Sequence, residues 1–506
     1  MNNANKRIAK NTIYLYIRML FTTAIGLYTV RAILNLLGET DYGIYNVVGG
    51  CVTMLSFISG TLSTSSQRYF SMHIAQNNTQ NLNQWFCLNI NLYAIIAIAC
   101  IVLLESIGLW FINTQLTIPE GRIFAANIVY QLSVLSFCIG IFQVPYMALV
   151  IAHEKMNAFA YIGVIEGIAK LVIVVILSYT YFDRLIMYGI LLCLVSIAIT
   201  FAYIIYCRKH FNESKYKFYW NNNKIKELAS FSNWHLLGTI SNVIRGQGIN
   251  ILLNVFFSPV VNAARAIAYQ VENAVLQLNN NFFVAVKPQI YKYYSLKETE
   301  NLHTLIFRST QMSFFLTSIL SLPLLFESNY VLTLWLIEVP EYAVIFTRII
   351  LVMGIIDSSN GAMICPILAT GEIRNFYIAT GLIYIATLPI SYIALKLGAQ
   401  PYVVMIIALI ISIITMFVRM YFLKIQINLT ISKYIKMISS IFISIIITVI
   451  PLLLISQTFD QGIVRLICSI IVSTISLIVT YYYFVITNSD RKLILSYVKN
   501  RIHFKR

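Results

Sequence analysis

The chain has 506 residues, of which 59% are hydrophobic and 11% are charged. A soluble protein devotes about a quarter of its residues to charge, so this composition excludes a water-soluble globular protein and indicates that lipid surrounds most of the chain. The formal net charge of +17 would suit nucleic acid on a soluble domain. The positions of the lysines and arginines decide between that interpretation and membrane topology.

Apolar segments that are long enough to cross a bilayer, which takes roughly 20 residues, recur along the whole chain. They predict an all-α polytopic membrane protein with about fourteen transmembrane helices. The predicted spans lie near residues 11–36, 42–62, 86–112, 123–151, 158–181, 185–206, 228–256, 259–286, 304–326, 342–369, 375–396, 402–423, 433–455 and 462–487.

The charges of the connecting loops predict the orientation. About 24 lysines and arginines fall in the tails and on one set of alternate loops, against about four on the other set. Basic loops stay in the cytoplasm, so both termini are predicted to be cytoplasmic, and the net charge needs no nucleic-acid partner. The opposite loops are acidic and are predicted to hold Asp41, Asp183 and Glu327 among others.

A weak internal similarity suggests two halves. A shift of 224 residues lays Arg68-Tyr69-Phe70-Ser71 over Lys292-Tyr293-Tyr294-Ser295, although chance similarity between apolar helices is the alternative. We predict two pseudo-symmetric six-helix bundles, followed by two extra helices and a basic tail. The predicted domains are residues 1–206, a cytoplasmic linker at 207–227, a second bundle at 228–423, and 424–506.

Charged residues inside the predicted spans are the candidates for function, because each costs at least roughly 2.5–3.5 kcal/mol at the membrane centre. Most of them are cationic, which predicts a water-filled cavity for a polyanion such as a diphosphate. The alternative is that some of these arginines reach out to lipid headgroups. The predicted substrate-binding residues are Arg18, Arg31, Arg68, Arg245, Arg265 and Lys287.

Two acidic residues near mid-depth are candidates for ion or proton coupling. Glu272 lies in the eighth predicted span, and Asp357 lies in the tenth, followed by Ser358-Ser359-Asn360-Gly361. That polar stretch predicts a locally loosened helix whose backbone oxygens become available.

The sequence offers no sign of an enzyme. It contains no P-loop, H-E-x-x-H or G-x-S-x-G motif. Its eight cysteines include no C-x-x-C pair and are predicted to be small buried side chains. We therefore predict no catalytic residues, no metal and no cofactor.

The stretch Arg31–Asn46, which reads RAILNLLGETDYGIYN, resembles the polysaccharide flippase (Wzx-like) branch of the multidrug, oligosaccharidyl-lipid and polysaccharide (MOP) exporter superfamily. The matching positions are Leu37, Gly38, Tyr42, Gly43 and Tyr45. Arg68-Tyr69, Pro145, Ala152–Met156 and the number of helices extend the resemblance, which is most specific in the first third of the chain.

This resemblance implies a V-shaped fold like that of the MATE transporters and a flippase of the bacterial inner membrane. Its implied substrate is an undecaprenyl-diphosphate-linked oligosaccharide for O-antigen, lipopolysaccharide or capsule, moved by alternating access, with membrane lipid, a polysaccharide polymerase and other assembly proteins as partners. Similarity to the lipid II flippase branch favours Arg18, Arg31, Arg68 and Arg265 as contacts. The alternatives are a cation-coupled drug exporter of the same fold and a scaffold of a glycan assembly complex that transports nothing.

Overall fold

The computed structural model describes residues 3–53, 55–115, 118–257, 259–336, 339–486 and 491. These residues form sixteen α-helices and no strand, which confirms the all-α prediction. The basic tail predicted beyond residue 491 lies outside the described residues.

The chain divides into two compact units. The N-terminal unit comprises Arg7–Leu236, and the C-terminal unit comprises Leu237–Arg506 with Met1–Lys6. The predicted domain boundaries at 206, 227 and 423 stay predictions. The N-terminal unit contains α1 (Asn3–Thr53), α2 (Ser56–Ala75), α3 (Thr79–Leu103), α4 (Leu109–Gln115), α5 (Ile123–Ala152), α6 (Met156–Tyr179), α7 (Arg184–His210) and the first part of α8 (Asn222–Phe256).

The C-terminal unit is built around α10 and α14. Helix α10 packs against α9, α11, α15 and α16, and α14 packs against α11, α12 and α13. Besides the rest of α8, the unit contains α9 (Pro259–Ser295), α10 (Thr299–Leu336), α11 (Ala343–Asp357), α12 (Asn360–Thr370), α13 (Arg374–Lys396), α14 (Tyr402–Ile427), α15 (Ile431–Thr458) and α16 (Ile463–Thr480).

Ten helical stretches of the described chain are long and apolar enough to span a membrane, and there are eleven if α11 and α12 form one bent span. The predicted spans near 42–62, 228–256 and 259–286 are helical but are not among these. The last two carry Arg245, Arg265 and Glu272, and such residues reduce their apolar content. The multi-pass membrane fold is confirmed, and the count of about fourteen stays a prediction.

Helix α1 is 51 residues long, but its backbone leaves the helical conformation at Gly38, with φ 78° and ψ 168°. Side chains other than glycine are almost excluded from that region. The break falls between the predicted spans 11–36 and 42–62, so Gly38 ends one helical segment and allows the next to start.

The cytoplasmic linker predicted between the halves lies along α3. Asn83 Nδ2 donates to the carbonyl oxygens of Glu213 at 2.7 Å and Lys215 at 2.8 Å. Asn91 Nδ2 donates to the carbonyl oxygen of Tyr219 at 3.0 Å. These bonds satisfy carbonyl groups of the linker that a helix would pair internally, so the linker is attached to α3 of the N-terminal unit.

A buried ion pair ties the last two helices to the rest of the C-terminal unit. Arg465 of α16 contacts Glu327 of α10 with Nε–Oε1 and Nη2–Oε2 distances of 2.9 Å. The side chain of Glu327 is fully buried. The prediction that Glu327 lies in an outer loop is therefore wrong. Helix α10 continues to Leu336 because the carboxylate is neutralised within the protein.

Candidate functional site

In the N-terminal unit, the side chain of Arg18 on α1 packs against α6. Its guanidinium carbon is 4.2 Å from the centre of the Phe159 ring. Gly163 leaves room for its stem, because a Cβ there would come within 2.8 Å of Arg18 Cδ. Arg18 Nε is buried and has no hydrogen-bond partner among the described residues, so this predicted contact retains an N–H group that can bind an anion.

The other two predicted arginines of this unit have different surroundings. Arg31 is exposed on α1. Arg68 is only 5% exposed and lies 4.8 Å from the Tyr69 ring centre and 5.1 Å from that of Phe231. Tyr69 in turn stacks on Trp85 at 4.0 Å. The aromatic rings account for the burial of Arg68 through cation–π contacts, which makes it the least accessible of the three.

Two adjacent cavities of about 290 and 390 Å³ lie in the N-terminal unit and share Ser56 and Phe137. Their walls carry no charged side chain, and their polar lining consists of hydroxyl groups together with the amide of Gln143. Such walls can accommodate a neutral polar molecule against an aromatic ring.

In the C-terminal unit, Asp357 ends α11 at a break in the helix. Helices α11 and α12 are bent by 41°, which confirms the loosened backbone that the sequence predicts. The Asp357 Oδ1 atom accepts from Ser412 Oγ at 2.6 Å and from Asn360 Nδ2 at 3.1 Å. The Ser358 carbonyl at the break accepts from Asn279 Nδ2 of α9 at 2.9 Å.

The same polar group contains Arg419, which the sequence analysis did not identify. Arg419 is 2% exposed, and its Nη1 donates to Asn360 Oδ1 at 2.5 Å. Its Nη2 donates to the Tyr384 hydroxyl at 2.5 Å. On the other side of Tyr384, the guanidinium carbon of Arg245 lies 4.6 Å from the ring centre.

Arg265 and Glu272 complete the cluster from helix α9. Arg265 donates from Nη1 to Asn250 Oδ1 and lies 4.5 Å from the Tyr269 ring centre. Glu272 is 5% exposed and is within electrostatic range of Asp357, Arg245 and Arg265. The structure thus brings four of the predicted site residues of this unit together.

All three of these arginines retain an unpaired donor. Arg245 Nη1, Arg265 Nε and Arg419 Nε are buried without a hydrogen-bond partner in the described part of the chain. Native proteins pair almost all such groups with protein or with a bound species. Lys287 lies near Cys365 of α12.

The fold is that of the MATE-like transporters. A multidrug-resistance MATE-family transporter of the MOP superfamily in an outward-facing conformation matches with a TM-score of 0.74, 13% identity, and coverage of 84% of this chain and 96% of that one. A MOP-superfamily transporter from Pyrococcus furiosus, described as having a binding pocket of reversed polarity that suggests a different function, matches with a TM-score of 0.71, 12% identity, and coverage of 85% and 98%. These matches, at 12–13% identity, show that the chain has a multi-pass membrane fold of the MATE type.

The sequence identifies the family more narrowly. Residues 8–294 match the family model described as polysaccharide biosynthesis protein. This chain belongs to that family, as the motif around Gly38 predicted. No curated protein sequence gives a significant match.

Proposed function

We propose that the protein flips an undecaprenyl-diphosphate-linked oligosaccharide across the bacterial cytoplasmic membrane. The observation that carries this proposal is that each unit holds buried guanidinium donors without a partner among the described residues, on Arg18 in one unit and on Arg245 and Arg265 in the other. A diphosphate supplies several acceptor oxygens and the negative charge that such donors prefer. The family assignment to polysaccharide biosynthesis supports a saccharide as the other part of the substrate.

The three parts of this substrate have different requirements. The diphosphate binds the arginines, the lipid tail stays in the bilayer, and the neutral sugars need uncharged polar surroundings. The two cavities of the N-terminal unit, which are mostly apolar but carry several hydroxyl groups and share Phe137, are the proposed place for the sugars. Alternating access moves the headgroup from the inner to the outer leaflet. Arg31, Arg68 and Lys287 belong to the proposed contacts through the family resemblance.

The proposed orientation has both termini in the cytoplasm, from which the substrate is loaded. Glu272 and Asp357 are the proposed coupling residues for a proton or sodium gradient, because both are carboxylates in predicted membrane spans. A polysaccharide polymerase and other glycan assembly proteins are proposed partners on the product side. O-antigen and capsule units are the glycans that the family resemblance favours.

The test is flipping in vesicles of defined lipid. Purified protein is reconstituted into vesicles that carry fluorescent undecaprenyl-diphosphate oligosaccharide in one leaflet. The accessibility of the fluorophore to a membrane-impermeant quencher reports the movement of the lipid to the other leaflet. We expect flipping by the wild type, loss in Arg18→Ala and Arg245→Gln, and retention in Arg348→Gln, whose guanidinium donates to Ser328 Oγ at 3.0 Å.

Export of a drug cation by folded protein, with no movement of the lipid-linked saccharide, would reject the flippase in favour of the exporter. Absence of any transport, together with unaltered surface glycan in Arg18→Ala/Arg245→Gln cells, would favour the scaffold.

A further inference from the structure

We propose that Arg419 is a positioning residue that holds both Arg245 and Asp357 in place. The inference rests on the proposed function, in which Arg245 binds a diphosphate. Arg419 reaches these two residues only through neutral side chains, Asn360 on one side and Tyr384 on the other.

A buried guanidinium needs compensation. Taking its charge out of water costs several kcal/mol even after the protein relaxes. Arg419 is almost fully buried, and among the described residues it forms no ion pair with a carboxylate. Its two short hydrogen bonds therefore determine where both acceptors lie.

The first arm ends at Asp357. Asn360 accepts from Arg419 with its carbonyl oxygen and donates to Asp357 with its amide nitrogen. This arrangement fixes the orientation of the amide, because a flipped amide would point its NH2 group at the guanidinium. The arm crosses the 41° break between α11 and α12, so Arg419 sets the first residue of α12 against the last residue of α11.

The second arm ends at Arg245. The Tyr384 hydroxyl accepts from Arg419, and the face of the Tyr384 ring lies under the Arg245 guanidinium. Because the ring is tethered at its hydroxyl, it is a fixed platform for Arg245. Arg245 Nη1 has no hydrogen-bond partner among the residues that the structure describes, and that atom is the donor assigned to the diphosphate.

Binding of undecaprenyl diphosphate to the full-length protein in detergent micelles tests this inference. Arg245→Gln should raise the Kd roughly tenfold, the effect of one charge-assisted contact. Arg419→Gln and Tyr384→Phe should each raise it several-fold. Neither should raise it further in the Arg245→Gln background, because both act through Arg245. Arg348→Gln, which also removes an arginine-to-hydroxyl bond in this unit, should leave the Kd unchanged.

Tyr384→Phe keeps the ring and removes only the hydroxyl, so it decides the question if Arg419→Gln does not fold. The positioning role is overturned if Arg419→Gln or Tyr384→Phe raises the Kd by the same factor with and without Arg245→Gln. It is also overturned if Tyr384→Phe has no effect on the Kd although Arg245→Gln weakens binding. Either result leaves the proposed function standing. An unchanged Kd in Arg245→Gln itself would overturn both.

Discussion

The ion pair between Glu327 and Arg465 gives the sharpest prediction for stability. Its members lie 138 residues apart on α10 and α16, and the Glu327 carboxylate also accepts from Ser469 Oγ at 3.1 Å. Removing one partner of a buried pair leaves an uncompensated charge, which costs about 3–5 kcal/mol. We therefore expect Arg465→Leu to lower the free energy of unfolding by that amount.

The double variant Glu327→Leu/Arg465→Leu should regain most of that loss, because replacing both charges by apolar side chains removes the desolvation penalty. Ser469→Ala is the matched control, and it should cost about 1 kcal/mol through one lost hydrogen bond. Equilibrium unfolding of the purified protein in mixed micelles with increasing dodecyl sulfate measures all three. The reasoning is refuted if Arg465→Leu costs no more than Ser469→Ala, or if the double variant is as unstable as the single one.

Three further predictions concern other parts of the fold. Burial opposes ionisation of Asp183, but hydrogen bonds from Arg122 and from two backbone amides outweigh it and lower its pKa. Asp183 thus contributes stability that is fully present above its unfolded-state pKa of about 4 and is lost as the pH falls through its lowered pKa. Arg122→Gln should reduce this loss of stability at acid pH, which thermal unfolding at a series of pH values measures. An unchanged pH profile would contradict this prediction. Gly163→Ala should displace Arg18 and weaken undecaprenyl-diphosphate binding by at most about tenfold, whereas tighter binding would argue against the assigned contact. Gly371→Ala should cost about 1–2 kcal/mol of unfolding free energy because its φ is +82°, and a neutral result in denaturant would show that the turn relaxes.

Apolar runs and loop charges were sufficient to predict the helical membrane fold. The break at Gly38 could also be anticipated, because it follows an apolar segment of membrane-spanning length. The prediction that Glu327 lies in an outer loop was wrong, because a carboxylate in the sequence resembles the end of a membrane helix. Its partner Arg465 is remote in the chain, and only packing brings the two together.

The candidate site was predicted in part. Intramembrane charge identified Arg245 and Asp357, but Arg419 was not singled out. It lies four residues before the end of the span predicted at 402–423, where an arginine ordinarily reaches the headgroups. Its bonds to Asn360 and Tyr384 come from other helices. No pattern within α14 distinguishes a buried arginine from one that faces the headgroups.

The comparison of α2 with α9 shows that apolar periodicity predicts which side of a helix is buried more firmly than it predicts how two helices align along their length. Helices α2 and α9 end in the same backbone turn, with Asn77 and Lys297 in the left-handed region. The amide of Asn78 bonds the His73 carbonyl, and the amide of Glu298 bonds that of Tyr293, the pattern of a Schellman motif. These turns correspond at a shift of 220 residues, whereas the sequence match used 224. The difference of four residues is close to one helical turn of 3.6, so the two shifts compare the same side of each helix. Apolar periodicity alone therefore cannot choose between a shift of 220 and one of about 224.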